Sequence, residues 1–147
     1  MGAWLRFSAD DLRTHMSSEL LQGILEASDG AGHVNRLAQS VISQVRSAVR
    51  SGKKVPQSAT ADAIPEELWS DACALLLEKL QGRLPALRLS ADQVRAADVA
   101  RQKLRSVARG EVALTMPSDP APGHMIAPVR CLGFRRKRVK SSSLGGL

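Results

Sequence analysis

The stretch IPEELWSDACALLLEKLQGRLPALRLSADQVRAADVARQKLRSVARGEVAL, Ile64 to Leu114, carries the two most regular apolar repeats of the chain. Pro65 suits the first turn of a helix, and Glu66-Glu67 complement the positive end of its dipole. Leu68, Ala72, Leu75, Leu76 and Leu80 recur at helical spacing, with Trp69, Cys73 and Leu77 widening the stripe. A helix this apolar is expected at the centre of the fold, ended by Gly82 and Pro85. Ser90-Ala-Asp-Gln93 is a capping box, with Leu89 and Val94 placed as the accompanying hydrophobic staple. The helix it opens uses Val94, Ala97, Leu104, Val107 and Ala108 as its apolar face, and Gly110 stops it. Val112, Ala113 and Leu114 are then placed to pack back onto the helices.

Two more helices are expected upstream. Ser8 caps the first, Asp10 and Asp11 favour its N-terminus, and Phe7 is placed to staple onto Leu12. Leu12, Met16, Leu20, Ile24 and Ala27 follow as one face, with Leu21 and Leu25 beside them. Asp29-Gly-Ala-Gly32 should end it. The second helix runs from about His33 to Ser51, with Val34, Leu37, Val41, Val45 and Ala48 as its stripe and Gly52 in the left-handed C-terminal position. Arg46 and Arg50 fall on its polar side. Residues 53–63 read as an exposed, mobile connection. The fold class is all-α: a compact bundle of about four helices over residues 1–114, with an extended C-terminal arm.

Composition agrees with helices. The 147 residues suffice for one packed domain, and 44% are hydrophobic. With two Phe, two Trp and no Tyr, the core must rest on Leu, Val, Ile and Ala. The longest apolar run, Ala72 to Leu77, is too short to span a bilayer. Asp10 and Asp11 occupy the place of a signal peptide's apolar stretch, so no membrane association is expected and an intracellular protein is the plain expectation. His15, His33 and His124 lack metal-ligand spacing, and Cys73 and Cys131 form no CxxC pair, so no metal is expected. Cys73 is expected as a buried, reduced thiol. No Gly-rich phosphate loop and no nucleophile–base constellation occurs. Neither an enzyme nor a cofactor is expected.

Charge is concentrated at one end. Residues 115–147 hold six Lys/Arg against one Asp, a balance of +5 out of the chain's +7. Pro117, Pro120, Pro122, Gly123 and Pro128 exclude a helix there, so residues 115–147 read as a Pro-rich linker and a basic C-terminal arm. Ile126, Val129, Leu132 and Phe134 give the arm apolar surface to bury on docking. Arg130, Arg135, Arg136, Lys137, Arg138 and Lys140 give it charge, suited to an acidic surface or nucleic acid. In the last helix Arg101, Arg105 and Arg109 form a stripe. It suits DNA phosphates, a neighbouring subunit's carboxylates, or a solvated face balanced locally by Asp98.

The tracts FSADDL, SSELLQGILEA, VNRLAQSVISQVRSAV, IPEELWSDACALLL and ARQKLRSVARGEVAL, in this order and spacing, resemble the head–tail connector (adaptor) proteins of tailed bacteriophages. The likeness is to the neck protein of Mu-like phages in particular and covers most of Phe7 to Leu114. The chain departs from that family at Ser51–Pro56, where an aromatic element is usual, and in the third helix, which lacks its usual tyrosine. The resemblance implies a structural virion protein without catalytic activity. Copies would form a ring in the virion neck, expected to be a dodecamer, extending the DNA channel below the portal. The portal protein and a downstream neck or tail-terminator protein are the implied partners, with genomic DNA in the channel a further candidate. Assembly would take place in the host cytoplasm. The C-terminal arm, residues Val129–Lys140 above all, would be the portal-docking strap. The alternative is a small basic DNA-binding regulator or packaging accessory, using the last two helices as a helix-turn-helix-like pair.

Overall fold

In the computed structural model, residues 2–26, 30–84 and 87–122 are described. Strand β1 (Trp4–Arg6) is followed by a 3-10 helix (Ala9–Thr14), α1 (Ser18–Glu26) and α2 (Gly30–Gly52). Strand β2 (Ala63–Pro65), a 3-10 turn (Glu66–Leu68), α3 (Trp69–Arg83) and α4 (Ala91–Ala108) complete the order. The molecule is an all-α bundle with one small antiparallel strand pair, β1 on β2, in which Leu5 faces Ile64.

Helices α2, α3 and α4 pack on one another and form the core, with the α3–α4 contact the most extensive. The α3 stripe is buried as its spacing requires: Leu68, Ala72, Leu75, Leu76 and Leu80 are all inaccessible, as are Cys73 and Leu77. Each such leucine contributes about 1.5–3 kcal/mol by leaving water. Val34, Ala38, Val41, Ile42, Val45 and Val49 form the α2 face, and Ala97, Ala100, Leu104 and Val107 the α4 face. The α4 capping box is closed in both directions, the Gln93 amide donating to Ser90 Oγ at 3.2 Å and the Ser90 amide to Gln93 Oε1 at 2.9 Å. Its staple is one-sided. Leu89 packs on the core, but Val94 is 42% exposed.

The expected first helix is two pieces. Asp11 accepts the Ser8 amide at 2.7 Å, so the start lies where expected, and Phe7 and Leu12 are buried. Thr14 Oγ1 then donates to the Asp11 carbonyl, and Ser17 Oγ accepts the Leu20 amide. These local hydroxyl bonds compete with the helical ladder and break it between Thr14 and Ser18. The break rotates the downstream face: Leu21 and Ile24 are buried, whereas Leu20 turns outward. Ala27 lies outside the described residues.

Five other expectations are corrected. Pro65 closes β2 instead of opening the third helix, and Gly30 to Gly32 begin α2 instead of forming a break before it. Gly82 lies within α3, which runs on to Arg83. The left-handed residue after α2 is Lys53 (φ 53°), not Gly52. Gly52 serves close packing instead, because a Cβ there would overlap the Val107 carbonyl oxygen of α4. Residues 53–63 are not a loose connection either, since Gln57 and Ser58 are buried. Gly110 does stop α4, with φ +73°.

Gly52→Ala should therefore force α2 and α4 apart and destabilise the fold by about 1–3 kcal/mol, read as a lowered midpoint in urea unfolding. An unchanged midpoint would show that the two helices are not held in contact there.

Candidate functional site

The α4 arginines differ in their surroundings. Arg101 bridges Glu78 of α3 and Asp98 of its own helix, and these hydrogen bonds, Glu78 first, raise its pKa. Arg109 pairs with Glu111 at 2.9 Å and also donates to Ser106 Oγ. Arg105 is exposed and has no ion pair among the described residues. It lines a groove of about 240 Å³ between α2 and α4, together with Gln44, Ala48, Arg101, Leu104 and Ala108. The stripe is thus one cation available for an outside partner, flanked by two that are already paired. On the opposite side of α4, Lys103 reaches Asp71 and the Glu67 carbonyl, each at 2.7 Å, and ties the helix to the start of α3.

The second feature has no precedent in the apolar spacing. Arg46, half-buried on α2, donates to the carbonyls of Ser58, Thr60 and Ala63, each at 2.9 Å. Its guanidinium carbon lies 5.8 Å from the centre of the Trp4 ring. Burial, and then nearby Arg50, lower its pKa, opposed by Asp119 and Asp62. The loop so held is the anchor for the chain after α4. Asp119 accepts from Ser58 Oγ (2.7 Å), Thr60 Oγ1 (2.8 Å) and the Thr60 amide (3.2 Å). Main-chain bonds run from Ala59 to the Asp119 carbonyl and from Ala121 to the Gln57 carbonyl. Nearer α4, the Thr115 amide donates to Glu67 Oε1, and Trp4 Nε1 donates to the Thr115 carbonyl at 2.8 Å.

Residues 111–122 therefore form a strap across the bundle. Val112 and Leu114 pack on the core as expected, Ala113 is exposed, and Pro117 is buried. The stretch expected to be linker from residue 115 is attached to the body as far as Pro122. Arm residues Ile126, Val129, Arg130, Leu132, Phe134, Arg135, Arg136, Lys137, Arg138 and Lys140 lie outside the described residues, as does Cys131. The structure thus brings Arg101 and Arg105 together in one groove and separates Arg109 from them by its own carboxylate partner.

Cys73 is fully buried, and its thiol is pushed up to about 12, first by burial and then by the charge of Asp11. It is not a thiolate at neutral pH. Among the described residues no group of three His, Cys, Asp or Glu is placed to hold a metal ion, and no helix is long and apolar enough to cross a membrane. Arg46, Trp4, Glu67 and Asp119 are the organising residues that sequence reasoning missed. A turn signal that could have found one of them is Ser118-Asp119-Pro120.

Two outcomes follow. Cys73 should resist alkylation in the native protein and react after denaturation, as read by peptide mass spectrometry. The Ser58 and Thr60 hydrogen bonds hold Asp119 below its ordinary value of 3.8. The charged carboxylate thus stabilises the fold above that value, and the contribution is lost as pH falls through the lowered one. Asp119→Asn should melt below the wild type at neutral pH, with the gap shrinking below pH 3.8. A gap that persists unchanged into acid would contradict the assignment.

No protein-family profile matches the chain, and no characterised protein or solved structure matches it significantly.

Proposed function

We propose that the chain is a structural adaptor of the tailed-phage neck, of the Mu-like type, seated between the portal and the tail-side proteins and lining the DNA channel. The helical body is consistent with the family that the tracts from Phe7 to Leu114 resemble. The observation that carries the reading is the strap. It is tied down by Asp119 and Thr115, so the chain reaches Pro122 at a fixed place on the body. Beyond that point the sequence supplies Val129, Leu132 and Phe134 for burial and Arg135–Lys140 for charge. An arm leaving from a fixed point has a higher effective concentration at a neighbouring surface than one on a free linker. Repeated around a ring, even a weak arm contact holds the portal tightly.

The alternative, regulatory DNA binding through α3 and α4, gains little support from the stripe, in which Arg105 alone has no ion pair among the described residues. Glu78 and Asp98 neutralise Arg101, and Glu111 neutralises Arg109. A helix that grips phosphates would need those charges unpaired.

The strap also decides how the function is tested. A chain ending at Leu114 loses Thr115 and Asp119 with the arm, so it should unfold at lower temperature and confound the result. A chain ending at Pro122 keeps both and should melt like the full chain. Mixed with the portal ring of the same phage, the full chain should co-sediment and the Pro122 form should not. Equal binding of both forms would overturn the arm's role, and failure of the full chain to bind would overturn the adaptor reading.

A further inference from the structure

The body is divided by charge. Residues 14–35 contain Glu19, Glu26 and Asp29 and no Lys or Arg. Residues 30–61 contain Arg36, Arg46, Arg50, Lys53 and Lys54 and no Asp or Glu. Helix α1 accordingly exposes Glu19 and Glu26, and the groove between α2 and α4 is lined by Arg105, the stripe arginine without an ion pair among the described residues. We propose that α1 of one copy docks in the α2–α4 groove of a second copy, Glu19 or Glu26 meeting Arg105. The contact supplies the side-by-side assembly that the adaptor function requires and rests on that reading.

Two features of α1 suit such a contact. Leu20, turned outward by the break before α1, is 45% exposed and leaves apolar surface on the outer side of the helix. Gly23 stands mid-helix with open space where its Cβ would be. Glycine at such a site weakens a helix relative to alanine, and none of the described residues approaches it closely enough to require the missing side chain. Glu19, Gly23 and Glu26 lie three, four and seven residues apart and so share one face, with Leu20, three residues before Gly23, at its edge. The groove matches: half-buried Ala48 and Ala108 are small enough for close approach at Gly23 and apolar enough to meet Leu20, and exposed Arg105 lines the same groove. The patches differ from each other, so the contact is heterologous. Repeated from copy to copy, it generates a ring when the rotation closes.

Sedimentation velocity of the full chain at low and high salt tests this. The wild type should self-associate, more weakly at high salt. Arg105→Glu should weaken association by about tenfold or more, and Glu19→Arg combined with Glu26→Arg should do the same. Joining Arg105→Glu to those two changes should restore much of the loss by exchanging the signs. Gly23→Gln should keep or raise the melting temperature yet lose association, which separates docking from folding. A wild type that stays monomeric, an Arg105→Glu chain that associates normally, or a reversal without rescue would overturn the contact. So would Arg105→Glu lowering duplex-DNA binding while leaving association unchanged. Portal binding reports separately: if the exchange of signs works but no form binds the portal, the adaptor function fails and the contact stands.

Discussion

The three hydrogen bonds from Arg46 to the carbonyls of Ser58, Thr60 and Ala63 are the constraint on which the rest of the end-to-end structure depends. These carbonyls belong to a connection that has almost no regular ladder of its own, so their acceptors need a donor from elsewhere. A guanidinium supplies several donors in one rigid plane, which a lysine does not. Once residues 58–63 are fixed, two distant parts of the chain acquire something to bind. Strand β1 pairs with β2 directly beyond the loop, and Trp4 lies against the same guanidinium. On the other side Asp119 takes the Ser58 and Thr60 hydroxyls. The first and last described segments thus converge on one side chain of α2, and they also touch directly where Trp4 Nε1 donates to the Thr115 carbonyl.

The helical body was legible because its information is local. Leucines at helical spacing marked α3, and Ser90 with Gln93 marked the start of α4 within one turn. The first helix was misread because its apolar spacing continues smoothly across a break made by Thr14 and Ser17, whose hydroxyls bind the backbone instead. Gly52 was assigned to the right element for the wrong reason, since the close approach of Val107 depends on how two helices cross. The loop and the strap were illegible for a related cause. Arg46 looks like an ordinary polar-face residue, and Asp119 like the single acid of a basic segment; the partners of Arg46 lie 12 to 17 positions on, in a connection without regular spacing, and those of Asp119 lie 59 and 61 positions back. Proline content marked the strap as non-helical, which is correct, but proline does not distinguish a tethered extended segment from a free one.

The candidate site follows the same division. The spacing of Arg101, Arg105 and Arg109 was visible, and so was the local partner Asp98. The cross-helix partner Glu78 was not, because it depends on the α3–α4 packing. That packing leaves Arg105 as the cation available at the α2–α4 groove, while the basic tract beyond Pro122 is carried from an anchored exit. For an adaptor these are different tasks. The packed helices and their groove set how copies meet, and the strap determines where the arm begins.

Native-state hydrogen exchange on Arg46→Met tests the central claim, that one guanidinium couples the loop, the N-terminal strand and the strap. The amides of Phe7, Ala59, Glu66 and Ala121, which bind the carbonyls of Asp62, Asp119, Ala3 and Gln57, should lose protection together. The amides of Leu84 and Arg109, at the ends of α3 and α4, should keep theirs. Protection retained at Ala59 and Ala121 in the variant would contradict the account and show the strap to be held independently of Arg46.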